Sequence, residues 1–181
     1  AGMTAFPYIV PASALGKDGA VAPSNRATVD CIGLGGMGNA NLGGFLKDSR
    51  AQVVAICDVD TGHRTAARDK VNAKYGNADC ATYNDFREVI ERADIDVLSN
   101  ALPDHWHAIP AVMGARAGKD IYSEKPLAYS IAEGRAICDV VARYGTIWQT
   151  GSWQRSQEHF RFACELVRNG CIGHVDTVRV G

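Results

Sequence analysis

The hexapeptide Gly33-Leu34-Gly35-Gly36-Met37-Gly38 constrains this chain more than any other feature, because it joins an apolar run of strand length to a helical pattern. A strand that turns into a helix within six residues needs a tight turn and a close approach of the two backbones. The G-x-G-x-x-G spacing meets both needs: Gly33 permits the turn, Gly35 lets a pyrophosphate come up to the backbone, and Gly38 lets helix and strand pack closely. Gly36 and Met37 open the helix, whose N-terminal N–H groups face the phosphate charge.

The rest of the chain repeats the same rhythm. Strand-like runs at 28–34, 52–57, 97–100, 120–122 and 146–149 alternate with helical stretches that begin near Met37, Thr61, Asn84, His107 and Ser130. Alternation of this kind predicts an α/β fold, a doubly wound parallel sheet of the Rossmann type. Pro110 fits only the first turn of a helix, which places that helix start near His107. Ser130 followed by Glu133 reads as a helix cap.

After Gln149 the pattern changes. A polar loop leads into an amphipathic helix over 159–169 with an apolar stripe of Phe160, Cys164, Leu166 and Val167, and Gly170 stops it. Residues 174–181 alternate apolar and polar like a strand with one exposed face. The chain is therefore expected to divide into an arm or linker at 1–27, a nucleotide-binding domain at 28–152, and the truncated start of a second α/β domain at 153–181.

Asp58 strengthens the dinucleotide reading, since it ends the second strand twenty positions past Gly38, where a carboxylate can accept bonds from ribose hydroxyls. Its charge repels a 2′-phosphate and favours NAD, while Arg64 nearby leaves room for NADP. No Gly-Lys-Ser/Thr follows the glycines, so a triphosphate loop is excluded. Two further clusters follow strands on the same edge: Leu102-Pro103-Asp104-His105-Trp106-His107 and Glu124-Lys125-Pro126. A lysine there can act as acid or base; the alternative is a surface Glu-Lys pair before a turn. His105 and His107 lack a third ligand, so no metal is expected.

A formal net charge of -1 on 181 residues, with no basic run, gives no footprint for nucleic acid or an anionic membrane. No apolar run reaches the length of about eighteen residues that a spanning helix needs. The six cysteines are scattered, with no Cys-x-x-Cys pair, and read as buried thiols. The first sixteen residues are small, apolar and free of charge until Lys17, either the tail of an export signal or an ordinary ordered arm.

Taken in order, Gly33-Leu34-Gly35-Gly36-Met37-Gly38, Cys57-Asp58-Val59-Asp60, Pro103-Asp104-His105-Trp106-His107, Ala117-Gly118-Lys119-Asp120, Glu124-Lys125-Pro126-Leu127 and Gly170-Cys171-Ile172-Gly173 resemble the Gfo/Idh/MocA oxidoreductase family. The resemblance covers 28–181. It implies hydride transfer between NAD or NADP and a hydroxyl-bearing carbon of a sugar or cyclitol, in a parent protein that is a homo-oligomer. It gives Lys125 and His107 catalytic roles. The cofactor would be held by Gly33, Gly35, Gly36, Met37, Gly38, Asp58, Arg64, Leu102, Pro103, His107, Glu124, Lys125 and Pro126. Lys125, Trp153 and Arg155 would face substrate. Leu102 departs from the family's usual Thr or Ser, which removes a polar contact. The family's second catalytic pair would lie beyond Gly181, so the chain reads as catalytically incomplete. The first residues resemble the exported branch, which implies twin-arginine export and periplasmic residence. Two alternatives stay open: a glycosidase that uses bound NAD without net redox, and a non-catalytic nucleotide-binding module.

Overall fold

The computed structural model describes residues 11–17 and 21–180. The segment 1–10, which carries most of the export resemblance, lies outside the described residues. The chain divides into two compact units, Ala1–Thr150 and Gly151–Gly181.

The first unit is a six-stranded sheet built from β1 (Ala27–Ile32), β2 (Ala51–Cys57), β3 (Ala81–Tyr83), β4 (Val97–Asn100), β5 (Asp120–Ser123) and β6 (Trp148–Thr150), in the order β3-β2-β1-β4-β5-β6. Every pairing is parallel. The helices between strands are α1 (Gly36–Phe45), α2 (Thr61–Tyr75), α3 (Phe86–Ile90), α4 (Ala108–Arg116) and α5 (Ile131–Tyr144). The expected doubly wound Rossmann-type sheet is present. β3 was not anticipated, because Ala81–Tyr83 is too short to show a period.

Local chemistry sets the helix limits. Asp60 caps α2 by accepting from the His63 N–H at 2.8 Å, and α2 ends at Gly76 with φ 68°. Ser130 and Glu133 form the reciprocal cap of α5. His107 is the N-cap of α4, which puts Pro110 in its first turn. No described helix is long and apolar enough to cross a membrane.

Side chains leave β1 on both faces. Val29 and Cys31 pack with Leu42 and Leu46 from the α1 segment and with Ala67 and Val71 of α2. Ile32 packs with Val89, Ile90 and Leu98 instead. Behind the other half of the sheet, Ala108, Ala111, Ala115, Ile121, Ile137 and Val140 form a third cluster. A Cβ at Gly114 would come 2.4 Å from Leu98 Cδ1, so a larger residue there would have to turn the buried Leu98 side chain.

The cysteines do not behave as one group. Cys31, Cys57 and Cys80 are buried, whereas Cys138, Cys164 and Cys171 are exposed, which corrects the expectation of six buried thiols. The first three lie in or beside the sheet, and the others do not. Burial first, then the Asp30 charge, pushes Cys57 up to about 12 and Cys80 to about 11, so neither supplies a thiolate at neutral pH.

The second unit, described by itself, holds a single-turn helix, Trp153–Ser156, and α6 (Glu158–Arg168). Gly170, at φ 72°, follows the helix stop as expected. Residues 174–180 form no strand, contrary to the alternation read from the sequence. Alternation supplies one apolar face, but a strand exists only by pairing, and no described neighbour pairs with this segment.

Asp30 stands out in the core. It is fully buried in β1, two residues before Ile32, and neither carboxylate oxygen has a hydrogen-bond partner. Burial holds its acid well above the usual carboxylate range, opposed only in part by the Arg92 charge. The unfolded chain ionises this group from about pH 4 upward, while the folded chain keeps its proton, so stability falls by about 1.4 kcal/mol per pH unit across that window. Asp30→Val is therefore expected to raise the urea midpoint at pH 7.5. The gain should shrink as pH falls toward about 4, because there the unfolded aspartate is protonated too. An equal gain at both pH values would show that the acid is ionised in the folded protein.

Candidate functional site

The sheet order reverses between β1 and β4, so the loops leaving the carboxyl ends of these strands diverge and open a crevice between them. The loops are held by backbone bonds that continue past the strand ends. Gly33 N–H donates to Cys57 O at 2.9 Å, Ala101 N–H to Ile32 O at 2.9 Å, and Glu124 N–H to Asn100 O at 2.9 Å. Four sequence segments thus meet on one edge.

The glycine turn is built as the spacing required. Gly33 has φ 82°, and a Cβ there would lie 2.5 Å from Ala101 O. A Cβ at Gly38 would lie 1.8 Å from Gly33 O, which no side chain can occupy. Gly35 and Gly36 differ from these. A Cβ on either would meet nothing within 4 Å, and Gly35 ends its helix with no side-chain cap.

Beside the turn lies a cavity of 460 Å³ whose lining includes Gly33, Gly35, Asp58, His63, Leu102 and Pro103. Asp58 Oδ2 accepts from the Leu34 N–H at 2.6 Å, and Oδ1 from the Asp60 N–H at 2.8 Å. The carboxylate is thus fixed against the glycine loop, with a free lone pair left on each oxygen. His63 Nδ1 stands 3.6 Å from Asp58 Oδ2. Arg64 does not line the cavity. Its guanidinium donates to the Asp58 backbone carbonyl, to Asn84 Oδ1 at 3.2 Å and to Thr61 Oγ1 at 3.2 Å.

A smaller cavity of 110 Å³ is lined by Met37, Ala101, Leu102, Asp104, Glu124 and Lys125. Lys125 is exposed, and among the described residues its ammonium has no hydrogen-bond partner. Glu124 is buried, with Oε1 accepting from Asn41 Nδ2 at 3.0 Å. Burial, then the Glu124 charge, pushes the Tyr122 phenol upward. Pro126 follows Lys125 through a cis peptide bond.

His107 occupies a different place from the one expected of a catalytic or cofactor-binding residue. Its ring is fully buried, with Nδ1 2.6 Å from Pro126 O and Nε2 2.7 Å from Leu102 O. A ring enclosed by backbone does not touch a ligand; it touches the two loops that would. Trp153 and Arg155 belong to the second unit, both exposed on its single-turn helix.

The structure also brings in residues that the sequence reading passed over. Asn41 lies one helical turn past Met37, on the same face of α1, and this spacing was the available signal. Phe86 and Asn84 line the larger cavity from the segment after β3, a strand the sequence did not reveal. Among the described residues, no group of three or more His, Cys, Asp or Glu side chains is arranged to hold a metal ion.

Known proteins are similar to this chain. Scyllo-inositol dehydrogenase from Lactobacillus casei, solved with bound NAD(H) and scyllo-inositol, superposes with a TM-score of 0.70 at 25% identity, over 82% of this chain and 42% of that one. Inositol 2-dehydrogenase of Salmonella typhimurium is 29% identical over 146 residues, 78% of this chain and 41% of that protein. The 2,7-anhydro-N-acetylneuraminate hydratase of Mediterraneibacter gnavus is 27% identical over 145 residues, 80% of this chain and 36% of that protein. The chain thus spans about two fifths of the length of these relatives. The profile of the Gfo/Idh/MocA oxidoreductases, described as an oxidoreductase family with an NAD-binding Rossmann fold, matches residues 28–152, and the chain belongs to that family.

Proposed function

We propose that this chain is the cofactor-holding part of an oxidoreductase that moves a hydride between NAD and a hydroxyl-bearing carbon of a sugar or cyclitol. The observation that carries the reading is the open pair Gly35 and Gly36. Gly36 opens α1, where glycine costs up to about 1 kcal/mol against alanine, Gly35 is the N-cap on ordinary extended backbone, and neither position has a neighbour that would exclude a methyl group. The protein's own packing does not ask for these glycines. A pyrophosphate lying against the uncapped helix N-terminus does, because a Cβ would occupy its place.

When bound, the nicotinamide ring supplies a hydride acceptor or donor at its C4. The chain's residues bind and orient. Gly35, Gly36 and Met37 at the start of α1 present N–H groups to phosphate, and Asp58 accepts from the ribose hydroxyls with the lone pairs its two backbone bonds leave free. Its negative charge opposes a 2′-phosphate. Arg64, already committed to Asp58 O, Asn84 and Thr61, offers little compensation, so NAD is favoured over NADP. Lys125, beside Met37 and Leu102, is placed to hold or move the hydroxyl proton at its Nζ. Substrate contacts from Trp153 and Arg155 belong to the same proposal. So do a homo-oligomeric parent and, from the resemblance of the first residues, periplasmic residence.

A second reading, the glycosidase that uses bound NAD with no net redox change, has one specific support, a relative named as a hydratase and not as a dehydrogenase. Accumulation of NADH on adding a polyol supports the dehydrogenase, whereas product without NADH supports the second reading.

Calorimetric titration of the chain with NAD tests the binding claim, and failure of both NAD and NADP to bind at millimolar concentration contradicts it. Gly35→Ala should lower the unfolding free energy by no more than about 1 kcal/mol, the cost of alanine at an N-cap, while weakening NAD at least tenfold. Gly38→Ala should instead lose about 3 kcal/mol of stability, since the new Cβ overlaps Gly33 O. Asp58→Ala is expected to narrow the preference for NAD over NADP about tenfold, read from paired titrations. In a catalytically active form of the protein, Lys125→Met should reduce kcat at least a hundredfold with NAD affinity nearly unchanged. Equal loss of both would make Lys125 a cofactor anchor.

A further inference from the structure

Both ring nitrogens of His107 point at backbone carbonyl oxygens, Nδ1 at Pro126 O (2.6 Å) and Nε2 at Leu102 O (2.7 Å), and the ring is fully buried. A carbonyl can only accept. A neutral imidazole has one N–H and one lone pair, so in either tautomer one of these contacts sets a lone pair against a carbonyl oxygen. Only the doubly protonated ring donates to both. We propose that His107 is an imidazolium that clasps the loop after β4 to the loop after β5, and so sets the walls of the small cavity around Lys125.

Both arms of the clasp end at the small cavity. Leu102 lines that cavity, and Pro126 directly follows Lys125, so each arm ends on or next to a lining residue. The backbone of His107 is held as well: Asn100 Nδ2 donates to His107 O at 3.1 Å and to Ser123 Oγ at 3.3 Å, which joins the ends of β4 and β5 to the start of α4. The elements around the ring carry Asp104 and His105 on the single turn Asp104–Trp106, Asp120 and Tyr122 on β5, Glu124 and Lys125 after β5, and Arg116 at the far end of α4. Among the described residues none forms an ion pair or a hydrogen bond with the ring. α1 adds only the uncharged Met37 and Asn41. The charge is therefore balanced by two carbonyl dipoles alone, and losing either proton undoes one arm of the clasp. Burying a charge is costly, and short charge-assisted bonds to both carbonyls are what offset it.

This makes His107 a positioning residue for the nicotinamide end of the cofactor, and in that respect the proposal rests on the dinucleotide reading. The charge state does not. A histidine-selective ¹⁵N correlation spectrum of the folded wild-type chain at neutral pH should show both His107 ring nitrogens protonated. One unprotonated ring nitrogen overturns the clasp whether or not NAD binds. His107→Phe then separates positioning from general stability. NAD affinity should fall about tenfold, the equivalent of one charge-assisted bond, while affinity for ADP-ribose, which has no nicotinamide, stays within about twofold. Equal weakening of both ligands, or of neither, overturns the positioning role. Should the variant not fold, the wild-type spectrum still decides the charge. Should the wild-type chain bind neither ligand, the dinucleotide reading fails and the spectrum again stands by itself.

Discussion

The 1.8 Å that would separate a Cβ at position 38 from the carbonyl oxygen of Gly33 leaves α1 one way to leave the sheet. With no side chain at either position, the helix starts on top of the turn and its N-terminus opens over the crevice between β1 and β4. That placement fixes the direction of the helix dipole and the distance from the glycine loop to Asp58, whose carboxylate is bonded to the Leu34 N–H. Move the helix outward by the width of a methyl group and both the anion site and its acidic neighbour lose register.

The site has two ends with different construction. At the larger cavity the chain uses fixed backbone and the Asp58 carboxylate, with Asp60 and His63 also on the wall, while Arg64 is tied behind the strand end. The end around Lys125 is made from two loops, and loops need support. His107 and Asn100 supply it from beneath, one through its ring and the other through its amide. Sheet edge and braced loops together hold the Lys125 ammonium beside the glycine helix.

Most of the fold was legible in the sequence, because parallel strands and amphipathic helices differ in period and because glycine and proline mark their ends. What escaped had physical reasons. Ala81–Tyr83 is three residues long, below any period, and with it went Asn84 and Phe86 of the cavity wall. Residues 174–180 have a strand's alternation but no described partner, and alternation alone forms no ladder. Cys138, Cys164 and Cys171 resemble the buried cysteines in composition only. His107 takes its expected ligand-facing role from the family resemblance; the contact of its ring with Pro126 O, nineteen residues away, is one that no local pattern reveals.

Cofactor binding depends most on the glycine turn, the proposed seat of the dinucleotide pyrophosphate. An amide-resolved NMR titration of the ¹⁵N-labelled chain with NAD measures this directly. The largest shifts should fall on the N–H groups of Leu34 to Gly38, with a second group at Asp58 and Leu102. Saturable binding with its largest shifts away from the carboxyl edge of the sheet, or no binding at all, would contradict it.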